Sequence, residues 1–169
     1  MPSHIAGLPV VHVEDTKRSE NVGLSTQVPP QPGFQLEVVG VDHVVVLADD
    51  VRATCAEIER ASGAPLKRVK EGERGTQGFH RLGSVILEVV ERRLVEPRSV
   101  ESPLVEPGGQ PSDATYWGFV IVVADMDAAA QHLGPDVIGT PKGAVQDGRR
   151  IATVRSGAGL GVPLALMSA

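Results

Sequence analysis

One pattern occurs twice in this chain, and few folds accommodate it. Val41-Asp42-His43-Val44-Val45-Val46-Leu47-Ala48-Asp49-Asp50 leads into a helical stretch, Val51 to Ser62. Phe119-Val120-Ile121-Val122-Val123-Ala124-Asp125-Met126-Asp127 leads into a second, Ala128 to Leu133. Each copy reads as an apolar strand that ends in an acidic turn and starts a helix. Consecutive apolar residues suit a strand covered on both faces. The aspartates suit the turn, because a short carboxylate accepts hydrogen bonds from the free N–H groups of a first helical turn. Asp49 or Asp50 fills that position in the first copy and Asp125 in the second. Val51, Cys55 and Ile58 fall at i, i+4 and i+7, one buried stripe, and Gly63 ends the helix. On that stripe Cys55 reads as core rather than as a nucleophile, since no basic or His-containing motif accompanies it.

Around each copy the other elements follow a common plan. Phe34 to Leu47 is β-rich but interrupted by Gly40, so it reads as two short strands or one bulged strand. After the first helix come Pro65 to Lys70, Thr76 to Leu82 and Ser84 to Glu91, the last two joined by a tight turn around Gly83. After the second helix, which Gly134 ends, Val137 to Gly139 starts a strand that Pro141 limits. Arg149 to Arg155 and Val162 to Met167 form a final pair. The glycines of 156–161 between them fit no phosphate-loop pattern and read as a turn. Ala48 falls on Ala124, and Leu87-Glu88-Val89 falls on Leu164-Ala165-Leu166, with offsets that agree to within one residue. That agreement indicates an internal duplication of a βαβββ module. The division is therefore an N-terminal arm at 1–36, a first module at 37–91, a Pro-rich linker at 92–113 and a second module at 114–169. The arm reads as a flexible tail, or else packs on a neighbouring subunit through Val10, Val11 and Val13.

Composition excludes several classes. The 169 residues suffice for one full domain or two intimate halves, with 41% apolar and 22% charged residues typical of a globular chain. Aromatic residues are only 3%, so Val, Leu, Ile and Ala must build the core. A net charge of −5 without a basic block argues against nucleic acid or an anionic membrane as partner. A single cysteine cannot form an internal disulfide and fits a reducing cytoplasm. The N-terminus lacks the basic start and long apolar core of a signal peptide.

The repeated βαβββ module has a His on its first strand (Val-Asp-His-Val-Val-Val), an acidic cap (Ala-Asp-Asp) and a Glu on its last strand (Ile-Leu-Glu-Val-Val). It resembles the vicinal oxygen chelate (VOC) superfamily. Members include glyoxalase I, extradiol dioxygenases, methylmalonyl-CoA epimerase, the fosfomycin-modifying proteins and the bleomycin-binding resistance proteins. The resemblance spans about residues 38 to 168. It implies an α+β fold in which each module curls into a half-barrel and the pair encloses a cup, with a homodimer expected. It also implies a divalent metal in the cup (Zn, Ni, Mn or Fe), held by the first and last strand of each module and chelated by a small oxygenated metabolite. In module one those positions are His43 and Glu88. In module two they are Phe119 and Ala165, which cannot bind a metal, so the usual site is half absent.

Two functions are therefore expected of this cup. One is an enzyme, with Glu88 as base or ligand and His43 as ligand or proton carrier. Its reaction would be of the lyase, isomerase, epimerase or dioxygenase type. The other is a metal-free protein of the bleomycin-resistance type that sequesters a small molecule. A Glu within Val-Ile-Leu-Glu-Val-Val is costly to bury alone, so a cavity, partner or ligand is expected beside it. Trp117 and Phe119, two apart on one strand, are expected to line the second module's wall. One of Arg149 and Arg150 should face inward, and Arg150 is a candidate for binding oxyanions. A two-residue turn at Gly83 would put Phe79 and Arg81 on the face of Glu88 and turn His80 away. A three-residue turn would reverse this.

Overall fold

A computed structural model describes residues 4–9, 36–73, 75–95 and 114–169. The elements in chain order are β1 (His4–Ile5), β2 (Leu8–Pro9), β3 (Val38–Ala48), α1 (Val51–Ser62), β4 (Leu66–Gly72), β5 (Gly75–Leu82), β6 (Val85–Glu91), β7 (Thr115–Val123), α2 (Met126–Leu133), β8 (Lys142–Gly143), β9 (Arg150–Thr153) and β10 (Leu164–Ser168). Eight strands form one sheet, in the order β4-β5-β6-β3-β7-β10-β9-β8. β3 pairs parallel with β6, and β7 parallel with β10. The two modules therefore have the same internal order and meet edge to edge through antiparallel β3 and β7. There His43 opposes Val120 and Val44 opposes Phe119. Matching His43 to Phe119 and Val44 to Val120 exchanges these two pairs, as a duplication about a local two-fold axis requires.

The helix caps form as their residues dictate. Asp50 Oδ1 accepts from Ala53 N at 2.9 Å, and Asp125 Oδ1 accepts from Ala128 N at 2.9 Å. Val51, Cys55 and Ile58 are buried, and pack with Val46, Ala48, Leu87 and Val89 in the core of module one. Val123, Met126, Ala129, Ile138, Ala152 and Leu166 form the core of module two. On β3, Val46 and Ala48 face the helix side, while Val45 and Leu47 join Val90 in a third cluster on the opposite face. A strand buried on both faces explains its unbroken apolar run. Burial raises the Cys55 thiol to about 11, so it is an inert core group at neutral pH.

Gly40 does mark a register shift within a single strand, since β3 slips against β7 between Val38 and Gly40. The strand expected from Val137 to Gly139 is reduced to one bridge, Ile138 with Val154, and β8 lies beyond Pro141 instead. Val137 and Gly139 still exchange backbone hydrogen bonds with Arg155 and Thr153, and Pro141, which has no N–H to donate, separates this bridge from β8. Residues 4–9 do not behave as a tail. Ala6 (φ 51°) and Gly7 (φ 81°) form the tight turn of the β1–β2 hairpin, and Ile5 and Leu8 are buried in the core of module one. Ala6 N donates to Glu57 Oε1 at 2.7 Å, and Ala114 N donates to Ala6 O at 2.9 Å. Val10, Val11 and Val13, and most of the Pro-rich linker, lie outside the described residues. No helix among the described residues is long and apolar enough to cross a membrane.

Candidate functional site

The sheet face away from the helices encloses a cup with two lobes of about 680 Å³ each. Lobe two is lined by both edge strands, β4 through Lys67, Arg68 and Lys70, and β8 through Lys142 and Gly143. The sheet must therefore curl far enough for its edges to face one cavity. Lys70, Gln77, Glu88, Val120 and Ile151 line both lobes and form the saddle between them.

Glu88 is the charged group set deepest in that saddle. Leu87 and Val89 on either side of it pack on the helix side, so strand alternation turns Glu88 into the cup. Gln77 Nε2 donates to Glu88 Oε1 at 2.8 Å. Burial raises its carboxyl above the ordinary range, while the charge of Lys70 and the Gln77 hydrogen bond oppose the rise. Gln77 thus supplies the partner expected beside this carboxyl.

His43 lines lobe two on β3, next to β6. It opposes Ile86 while Glu88 opposes Val45, so the two side chains sit two residues apart along parallel neighbours. Asp42 Oδ2 lies 2.5 Å from His43 Nδ1. Asp42 also accepts from Arg149 Nη1 at 2.6 Å and from Gln146 Nε2 at 3.4 Å, which ties module one to module two. Burial lowers the His43 pKa, and Asp42 only partly offsets this against the repulsion of Arg149 and Arg81. The ring is neutral at pH 7, the form that can accept a proton.

The other candidates divide. The turn after β5 has two residues, Gly83 and Ser84, and Phe79 opposes Glu88. Phe79 and Arg81 line lobe two with Glu88. His80 is buried with Nδ1 3.0 Å from Ala64 O, an anchor between β5 and the end of α1. Trp117 and Phe119 line lobe one, together with Ala165. Arg150 is a correction, because it lines neither lobe: its Nη1 donates to Asp127 Oδ1 at 2.7 Å. Arg149 shares the strand face of cup-lining Ile151, but it lines neither lobe and spends its donors on Asp42, beside His43, and on Ser168 O. Sequence reasoning missed Lys70 and Gln77, the residues that surround Glu88. Their shared strand pairing, Lys70 with Gln77, appears only once β4 and β5 are in register.

Among the described residues, no group of three or more His, Cys, Asp and Glu side chains is placed to hold a metal ion. His43 and Glu88 provide two such groups, and Phe119 and Ala165 provide none. Among the described residues the donor set does not fit the divalent centre that the resemblance implied, because catalytic zinc sites use three protein ligands.

No family model matches this chain, and no curated protein matches its sequence. Solved structures do match its fold. A methylmalonyl-CoA epimerase from Mycobacterium tuberculosis superposes with a TM-score of 0.58 at 17% identity, covering 80% of this chain and 91% of that one. A Streptomyces coelicolor methylmalonyl-CoA epimerase in complex with 2-nitronate-propionyl-CoA gives 0.56 at 20% identity, covering 80% and 99%. A hypothetical protein from Bacillus halodurans gives 0.53 at 15% identity, covering 76% and 93%. The architecture is that of the VOC fold: among the described residues, an α+β arrangement of one open, curved eight-stranded sheet and two α-helices, with the small β1–β2 hairpin beside it.

Proposed function

We propose that the cup binds a small oxygenated metabolite directly, without a chelating metal, and that Glu88 meets its oxygen atoms. The observation that carries this reading is a single carboxyl set in the saddle between two lobes and oriented by Gln77. Lobes of about 680 Å³ lie within the range of small-molecule sites, roughly 300–1,000 Å³. Lobe one has a mostly apolar wall, and such walls with a few convergent polar groups are what small-molecule sites use to orient a ligand. Because burial favours its protonated form, Glu88 can donate to a carbonyl or, once ionised, accept from a hydroxyl. A homodimer, expected from the resemblance, belongs to this proposal and is checked by sedimentation.

A second reading adds chemistry at the same carboxyl. A base works best when its pKa lies near the working pH, and Glu88 is shifted in that direction. With neutral His43 facing the same lobe, the pair suits proton transfer at a carbon next to a carbonyl. The likeness in fold to methylmalonyl-CoA epimerases makes that class the first to try.

The test offers α-hydroxy acids, α-keto acids and methylmalonyl-CoA to the protein in deuterated water. Calorimetry reads binding and proton NMR reads deuterium entering at the α-carbon. At least one ligand is expected to bind, with Glu88→Gln weakening it roughly tenfold, since a hydrogen bond to a charged group is lost. Deuterium incorporation that Glu88→Gln abolishes establishes proton transfer. Binding without exchange leaves a sequestering protein. If no member of the panel binds or raises the melting temperature, the reading fails.

A further inference from the structure

We infer that lobe two is an anionic subsite, shaped for a small molecule that carries two or more negatively charged groups such as phosphates or carboxylates. The inference deepens the reading of the cup and rests on it for the uncharged end of the ligand. Five cationic side chains line this lobe: Lys67, Arg68 and Lys70 from β4, Arg81 from β5 and Lys142 from β8. Among the described residues, Glu88 is the one carboxyl that lines the lobe with them. The whole chain carries −5, so this concentration of positive charge runs against the composition.

The pairing of charges elsewhere sharpens the contrast. Arg52, Arg92, Arg93, Arg149 and Arg150 each meet a carboxylate, Glu71, Asp49, Glu91, Asp42 and Asp127 respectively. None of the five lobe cations has a salt-bridge partner among the described residues. Arg81 reaches only the carbonyl of Ser84, at 3.5 Å.

The backbone gathers these cations. In a regular strand Lys67 and Arg68 would point to opposite faces. A bulge between Leu66 and Arg68 leaves Lys67 as the extra residue, so that both line the lobe. Arg68 opposes Phe79 and Lys70 opposes Gln77, both cup-lining residues. Curling of the sheet then brings Lys142 from the far edge to the same cavity. Like charges gathered from two edges repel one another, and an anion seated among them turns that repulsion into attraction. The saddle at Glu88 would hold the ligand's uncharged, oxygenated part next to the apolar wall of lobe one.

Calorimetry with pyrophosphate and with tricarballylate, a tricarboxylate, tests the assignment. Saturable binding is expected for at least one, weakening as salt is raised. Arg68→Gln/Lys142→Gln, one cation from each edge, should weaken it roughly tenfold or more, from lost hydrogen bonds between charged groups. Arg52→Gln, which removes a paired cation elsewhere, should leave it unchanged, and Glu88→Gln should leave it as tight or tighter. Both altered positions are exposed, and melting curves verify that the variants fold. Binding of pyrophosphate alone assigns the subsite to phosphate esters; binding of tricarballylate alone assigns it to polycarboxylates. The inference is overturned if neither probe binds or if the Arg68/Lys142 variant binds as tightly as the parent. It is equally overturned if heparin binds far more tightly than both probes, since that marks a surface for a polymer. Pyrophosphate binding with no response from the metabolite panel sinks the Glu88 reading alone. A panel metabolite that binds while both anions fail sinks the subsite alone.

Discussion

On their helix sides the two modules agree. Val51, Cys55 and Ile58 pack on Val46, Leu87 and Val89 in one, as Met126 and Ala129 pack on Val123 and Leu166 in the other. On their cup sides they part. Module one presents His43, Glu88, Gln77 and the cations of β4, whereas module two presents Trp117, Phe119 and Ala165, with Lys142 and Gln146 only at its far edge. The shared face is the one that must be dry for the sheet to hold its helix. Cup-facing positions contribute little to that requirement, so they are free to become a polar wall in one copy and an apolar wall in the other. The difference makes the cup amphipathic: one side can read oxygen atoms and charge, and the other can cover a hydrocarbon or ring.

The strongest break in this comparison is expected on the helix sides, where the modules should be equally intolerant. Ile58→Ala and Leu166→Ala remove buried side chains that are 3% and 1% exposed, one per module. Each should cost about 2–5 kcal/mol in urea unfolding, with a single transition because both modules share one sheet. An unequal loss, or two transitions, would show that the modules are separate units.

Next, Phe119→His/Ala165→Glu rebuilds on module two the pair found on module one. If the absent ligands are what sets the cup apart from a metal centre, the variant gains zinc or nickel binding. A metal concentration a hundredfold above Kd would then stabilise it by about 2.7 kcal/mol, read as a rise in melting temperature that the parent does not show.

A smaller effect tests how closely β5 approaches α1. A Cβ on Gly78 would run into Cys55 Sγ. Gly78→Ala should cost about 1–3 kcal/mol, and adding Cys55→Ala should return part of it, a coupling read from a double-mutant cycle.

The least stability is at stake in the two titrating groups of module one, and they act in opposite directions. Burial raises the Glu88 pKa, so the folded state holds its proton longer than the unfolded chain. Stability then falls as pH climbs from the ordinary carboxylate value of 4.5 through the raised one. Glu88→Gln should be as stable as the parent in acid and more stable above that window. His43 has a lowered pKa, so the unfolded chain takes up its proton first and stability is lost as pH falls below 6.5. His43→Gln should flatten that limb in melting curves taken across pH.

Much of the fold was legible because it is written in neighbours. Asp50 and Gly63 delimit α1 through groups three or four residues away, and the stripe Val51, Cys55, Ile58 follows from helical spacing. The cost of burying a lone carboxylate within Val-Ile-Leu-Glu-Val-Val was reason to expect a cavity, partner or ligand beside Glu88. The error at Arg150 came from strand alternation carried too far. Alternation says that Arg149 and Arg150 diverge, but it does not say that a distant Asp42 and a helix-end Asp127 will claim them. Likewise Leu8 falls within the stretch 1–36 read as an arm, because nothing near it in the chain reveals that the core beside α1 offers it a buried seat.

Local patterning thus determined the duplication, the caps and the core-facing stripes, and the resemblance singled out His43 and Glu88. The tertiary structure decided what those residues meet. Gln77 and Lys70 reach Glu88 through the β4–β5–β6 ladder, and Lys67, Arg68 and Lys142 converge through a bulge and the curl of the sheet. The physical reason is range. Hydrogen-bonded turns and side-chain periods are settled within a few residues, whereas burial, electrostatic surroundings and cavity walls depend on which distant strands pair and in what register.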